Sequence, residues 1–245
     1  MSGAGWRRAL AASASIAAAG AAVQTAPAAT CLTPLHAVWP ALVGAGRPGR
    51  VALTFDDGPD GASTPLFLDL LDDHDVRATF FLLGEMVQRF PDLPRRMVGS
   101  GHEVAVHSWD HRNHLRHLPG RRTSEQLERT AEVIERRSGV RPSYFRPPYG
   151  SLTGADLWAA SRLGLRPVLW TAWGRDWSDR ATPASVLRTV TSGKVDGGTV
   201  LLHDSDCTSA PGAWLSAYGA LPAFFGWCAE RGLDVGPLRV VHGTG

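Results

Sequence analysis

Two adjacent carboxylates, Asp56 and Asp57, end a short apolar run in the stretch VALTFDDGPD. Asp-Gly and Gly-Pro are ordinary turn signals, so the pair alone reads as turn chemistry. His107 and His111 change that reading, because residues four apart on a helical turn or tight loop point the same way and can share a cation. With one Asp from another segment they make a set of two imidazoles and one carboxylate. Such a set leaves coordination positions open for water and substrate, the pattern of a catalytic metal rather than a structural one. One carboxylate would then bind the cation, while the other accepts a proton from water that the cation has made more acidic. Arg146 could hold that base by a charge-assisted hydrogen bond. His203 is free to protonate a leaving group, with Asp176 orienting it and supporting its cationic form. His102, His114 and His117 read as solvated side chains outside the set. Two His and one carboxylate also serve non-haem iron oxygenases, but a separate acid and base argue for hydrolysis.

These residues need a scaffold that brings distant segments together. Apolar runs at Val51 to Phe55, Ala78 to Leu83, Glu103 to His107, Ser143 to Arg146, Pro167 to Thr171, Thr199 to His203 and Val235 to Val241 read as strands. Helical patterns lie between them. Thr64-Pro65 and Thr182-Pro183 look like capped helix starts, and Thr123 with Gln126 like a capping box. In the helix after Thr123, Leu127, Ala131 and Ile134 form an apolar stripe, with Glu128, Arg129, Glu132 and Glu135 facing away, and Gly139 ends it. Such alternation predicts an α/β fold with parallel strands, and about seven strand-helix units favour a (β/α)7 barrel over an open sheet. Chemistry in such folds collects at the C-terminal strand ends. Asp56 and Asp57 follow the first predicted strand, HSWDH the third, RPPYG the fourth, WGRDW the fifth and LLHD the sixth.

A length of 245 residues, 44% hydrophobic and 20% charged, suits one large domain, and a net charge of +2 gives no surface for nucleic acid. No protein partner is indicated. Residues 1–30 differ in composition, with Arg7 and Arg8, an Ala-rich run and Ala26-Pro27-Ala28 as a possible cleavage site. They read as a signal peptide or leader, followed by a linker over 31–49 and the catalytic domain over 50–242. The apolar run falls short of the ~20 residues of a spanning helix, so a membrane partner is expected only if the segment stays uncleaved. Cys31, Cys207 and Cys228 offer no cysteine zinc site and leave room for one disulfide, Cys207 with Cys228. The nine tryptophans read mainly as core, with some free to present flat faces to sugar rings.

The segments TFDDGP, HSWDH, RPPYG, RDW and LLHD, in this order, resemble the five motifs of the polysaccharide deacetylases, carbohydrate esterase family 4. The resemblance spans roughly Arg50 to Val241. It implies a distorted barrel of about seven strands and metal-dependent removal of acetyl groups, usually from N-acetylglucosamine units of peptidoglycan, chitin or related glycans; the N-terminal segment, read as an export signal, sets this activity outside the cytoplasm. By position, Asp56 resembles the base, and Asp57, His107 and His111 resemble ligands of a divalent cation, most often zinc. Arg146 resembles the residue that positions the base, and the Tyr149 backbone N–H the oxyanion donor. Asp176 resembles the partner of the acid His203, while Trp177 and Leu201 shape the sugar and acetate-methyl pockets. Trp173 stands where family members often carry an Asp. An acetyl-xylan or other O-acetyl esterase, or a non-catalytic glycan-binding homologue, is the alternative on the same fold.

Overall fold

The computed structural model describes residues 22–31, 40–117 and 121–242. Eight strands form one sheet: β1 (Arg50–Asp56), β2 (Thr79–Leu83), β3 (Glu103–Ser108), β4 (Tyr144–Phe145), β5 (Arg166–Pro167), β6 (Ala172–Trp173), β7 (Gly198–His203) and β8 (Asp234–Gly236). Their order is β5-β4-β3-β2-β1-β7-β6, with β8 beside β1, and all pairs are parallel. The sheet curls into an open barrel whose two edges, β5 and β6, are consecutive in sequence. The helices are α1 (Thr64–Asp73), α2 (Gly84–Arg89), α3 (Leu93–Gly99), α4 (Arg121–Ser138), α5 (Gly154–Leu163), α6 (Pro183–Thr191), α7 (Trp214–Ala229) and α8 (Leu238–His242).

The two-residue period of the strands sorts core from site. On β1, Val51, Leu53 and Phe55 join the large cluster with Phe67, Leu127, Ile134 and Leu221. Ala52 has the opposite parity and packs in the smaller cluster with Phe81, Ala105, Tyr144, Val168, Leu238 and Val241. Thr54 and Asp56 share its parity, as His107 shares that of Ala105. β7 behaves alike: Val200 and Leu202 belong to the large cluster, leaving Leu201 and His203 on the other face. A one-residue slip would exchange core for chemistry along a whole strand.

Four expectations about elements need correction. The predicted strand Pro167 to Thr171 does not form: β5 ends at Pro167 and β6 begins after Thr171, because the carbonyls of Val168 and Leu169 both accept from the Arg146 side chain. Consecutive carbonyls of a strand point oppositely, so the chain leaves strand geometry there. The WGRDW segment therefore begins at the last residue of the sixth strand. The run Val235 to Val241 stops as a strand at Gly236; Pro237 lacks an N–H for a ladder, and helix α8 follows. Of the predicted caps, Thr182 accepts from Ser185 N as expected. Thr64 instead donates to Asp204, while α4 begins before Thr123, whose hydroxyl is buried without a partner. Finally, Cys207 and Cys228 are free thiols rather than a disulfide.

The α4 stripe lies as expected, with Leu127 and Ile134 fully buried and Ala131 nearly so. Leu127→Ala should cost about 2–5 kcal/mol in urea denaturation, whereas Glu128→Ala on the exposed face should stay within about 0.5 kcal/mol.

Candidate active site

The C-terminal ends of β1, β3, β4, β6 and β7 converge on a cavity of about 240 Å³. Asp56, Asp57, His107, His111, Tyr149, Trp177, Leu201 and His203 all line it, while Arg146 and Asp176 stand behind. Every residue expected at the site is thus in one place. Trp170, Trp173 and Thr208 also line the cavity.

Asp57 is the focus of the first group. Its Oδ1 lies 3.3 Å from the Nε2 atoms of both His107 and His111, and the three side chains form a compact candidate metal set. The fit of a cation can be judged on two features. Asp57 Oδ1 is buried without a hydrogen-bond partner, a costly state for a carboxylate unless something cationic is held there. His107 Nδ1 lies 2.9 Å from the Arg146 carbonyl, so the proton sits on Nδ1 and the Nε2 lone pair faces Asp57. The donor set therefore fits a divalent ion with open positions. Burial alone would raise the Asp57 pKa, but its interactions with the surrounding imidazoles of His107, His111 and His203 outweigh it. The carboxyl is held far below the ordinary range. Burial pushes His111 down to about 4, so it stays neutral and able to ligate.

Asp56 is held differently. Its Oδ1 accepts from Arg146 Nη1 at 2.6 Å, and its Oδ2 is 3.8 Å from His107 Nε2. Arg146 is fully buried. Its Nη1 also donates to Thr54 Oγ1, its Nε to Val168 O and its Nη2 to Leu169 O, while the guanidinium lies 4.0 Å from the Phe81 ring centroid. Across the site, Asp176 receives both the His203 backbone N–H, at 2.7 Å, and the His203 Nδ1, at 3.0 Å. Burial would lower the His203 pKa, but Asp176 above all, then Asp57 and Asp56, raise it to about 10. His203 can therefore carry a proton at neutral pH.

Backbone geometry aims these groups. Asp57, His111 and Tyr149 have φ of 74°, 56° and 59°, and Arg175, just before Asp176, 52°. This left-handed region is uncommon for residues with a side chain. Asp204, next to His203, is buried and accepts from Thr64 Oγ1 at 2.5 Å. Burial raises its pKa to about 7, and a Cβ on Gly58 would lie 2.5 Å from its Oδ2.

Two hydroxyls absent from the expected set also belong to the site: Thr208, which donates to Asp57 Oδ2, and Thr54, behind Arg146. Neither has a distinctive spacing; a hydroxyl two residues before Asp56 on the same strand parity was the one available sign. His102 and His114 are buried, correcting their reading as solvated side chains. His102 Nδ1 accepts from Ala78 N, and burial lowers its pKa to about 4. His114 pairs with buried Asp156 at 2.6 Å. The His117 side chain lies outside the described residues.

The polysaccharide deacetylase family model matches residues 44–168. Peptidoglycan-N-acetylglucosamine deacetylase PgdA of Listeria monocytogenes is 38% identical over 161 residues, covering 66% of this chain and 34% of that protein. The chain thus spans about a third of that relative's length. Chitooligosaccharide deacetylase of Bradyrhizobium is 35% identical over 202 residues, 78% of this chain and 90% of that one. Among solved structures, a family 4 carbohydrate esterase pseudoenzyme from Bacillus anthracis superposes with a TM-score of 0.71 at 28% identity, covering 79% of this chain and 65% of that one. With the family profile over half of its length and a relative matched nearly end to end, the chain belongs to the polysaccharide deacetylase family.

Proposed function

We propose that this protein is a metal-dependent N-deacetylase that removes acetyl groups from N-acetylglucosamine units of a polysaccharide of the peptidoglycan or chitin type. The observation that carries this reading is the buried, unpartnered Asp57 Oδ1 between two imidazole nitrogens, beside one carboxylate held by arginine and one imidazole held by carboxylate. Asp57, His107 and His111 would hold the cation, which supplies the charge that makes water more acidic and the acetyl carbonyl more electrophilic; zinc suits this donor set.

The protein's own groups divide the remaining work. Asp56, fixed by Arg146, takes a proton as water attacks the acetyl carbon. The Tyr149 backbone N–H donates to the acetyl oxygen as negative charge develops there. His203, fixed by Asp176, gives its proton to the sugar nitrogen as the C–N bond breaks, so that acetate and an amine result. Asp56 and His203 are register partners on β1 and β7, yet their side chains diverge toward Arg146 and toward Asp176, as separate acid and base require. Leu201 and Trp177 line the acetate-methyl and sugar pockets. The pseudoenzyme among the structural neighbours makes a non-catalytic role the second reading. The presence of base, acid and all three candidate ligands favours turnover.

We also propose that residues 1–30 are an export leader and that the enzyme acts in the cell envelope or outside the cell. Their composition supports this, and over 22–28 the chain is exposed or half-buried, with Val23 68% exposed. No helix among the described residues is long and apolar enough to cross a membrane. N-terminal sequencing of exported protein should find a start near Ala28; a start at Met1 or Ser2 would refute the leader.

The protein should release acetate from chitooligosaccharides or peptidoglycan, lose this with a chelator and regain it with zinc. Release from acetyl-xylan alone would make it an O-acetyl esterase. Asp56→Asn should lower kcat about 10²- to 10⁴-fold with metal content kept, whereas His107→Ala should lose both. Near-normal turnover by Asp56→Asn would overturn its role as base.

The pH profile tests the acid. His203 is raised above the ordinary imidazole value, so its proton is present at neutral pH and lost as pH rises. Asp176→Asn removes the main source of that rise and should move the alkaline limb of kcat/KM to lower pH. An unmoved limb would assign the titration to another group.

A further inference from the structure

A second groove, of about 900 Å³, opens directly from the site and shares His111, Tyr149 and Thr208 with it. Among the described residues, the rest of its lining is Asp110, Arg112, Asn113, Arg116 and Arg122. The one carboxylate is already engaged: Arg112 Nε lies 3.2 Å from Asp110 Oδ2, and Gln126 Nε2 donates to Asp110 Oδ1 at 3.1 Å. Among the described residues, Arg116 and Arg122 have no carboxylate partner. Their charge is therefore uncompensated on a face that adjoins the reacting centre. This placement runs against local stability. Arg122 stands in the first turn of α4, an 18-residue helix with no acidic residue there, and the positive end of a helix disfavours cations and favours anions.

The other flank of the site is aromatic, with Trp170, Trp173 and Trp177 on the cavity wall and the Arg175 guanidinium stacked on Trp173, 4.8 Å from its ring centroid. Trp173 and Trp177 are 5.2 Å apart between ring centroids. The arginines follow β3 and belong to α4, while the tryptophans surround β6, and β2, β1 and β7 separate β3 from β6 in the sheet. A glycan laid across the site would thus meet aromatic faces at one end and the three guanidinium groups of Arg112, Arg116 and Arg122 at the other. Guanidinium recognises carboxylates with two parallel hydrogen bonds.

Resting on the deacetylase reading, we propose that Arg116 and Arg122, with Arg112 beside them, form a carboxylate-binding subsite that favours glycans bearing an acidic substituent next to the acetylated sugar. The carboxylate could belong to the sugar itself, as in a lactyl ether, or to an attached peptide; the chemistry at the arginines is the same.

The test compares four probes: a peptide-free tetrasaccharide of alternating N-acetylglucosamine and N-acetylmuramic acid, its methyl ester, its peptide-bearing form, and chitotetraose. The wild type should process the free acid about tenfold better than the ester, with the advantage shrinking as salt rises. An advantage confined to the peptide-bearing form would support the subsite and assign the carboxylates to the peptide. Replacing both residues, Arg116→Gln with Arg122→Gln, should abolish the preference and leave chitotetraose turnover unchanged. Equal handling of acidic and neutral probes by the wild type, or an equal loss on chitotetraose in the variant, would overturn the proposal. Calorimetry of the same probes separates the two readings. If no probe releases acetate, the deacetylase reading fails, while tighter binding of an acidic probe than of the ester, lost in the double variant, would still support the subsite; equal binding would reject it.

Discussion

The fully buried guanidinium of Arg146 is the constraint on which the rest of this structure depends. An unpaired charge inside the barrel would be prohibitive, and removing one partner of a buried pair typically costs about 3–5 kcal/mol. The fold meets the demand with Asp56, the Thr54 hydroxyl and two main-chain carbonyls. Those carbonyls belong to the span between the unpaired edges β5 and β6. The group that orients the carboxylate beside the candidate metal set is therefore also the group that ties the open side of the barrel to its central strand. His107 is drawn into the same arrangement, because the Arg146 carbonyl fixes its tautomer.

Order at the candidate site is obtained against local preference. Asp57, His111 and Tyr149 occupy left-handed conformations, each of which costs of order 1–3 kcal/mol and persists only where the surroundings over-determine it. The surroundings here are the large cluster outside the sheet and the smaller one within it. Strand parity divides the molecule into a part that provides stability and a part that spends it.

Much of this was legible in the residues. The positions of β1, β2, β3 and β7, and the convergence of Asp56, Asp57, His107, Arg146, Asp176 and His203, follow from apolar runs that end in polar clusters. What was not legible depended on long-range demands. The break in Pro167 to Thr171 exists because Arg146, about twenty residues away, needs two carbonyls. Thr64 is taken from its expected cap by Asp204, and His102 and His114 are drawn inside by partners that spacing does not reveal. Thr208 follows β7 in a loop without periodicity, so nothing in the sequence announced its contact with Asp57.

The glycine of TFDDGP shows what this means for a short signature. A side chain at Gly58 is blocked by the Asp204 carboxylate, and Asp204 is itself held by Thr64, 140 positions earlier. The letters after the two aspartates therefore record a contact with β7 as much as a turn. The loop that carries Asp57 is packed against the segment that leaves the seventh strand. A signature that reads as one uninterrupted word in the sequence is, in three dimensions, a joint between the two ends of the domain.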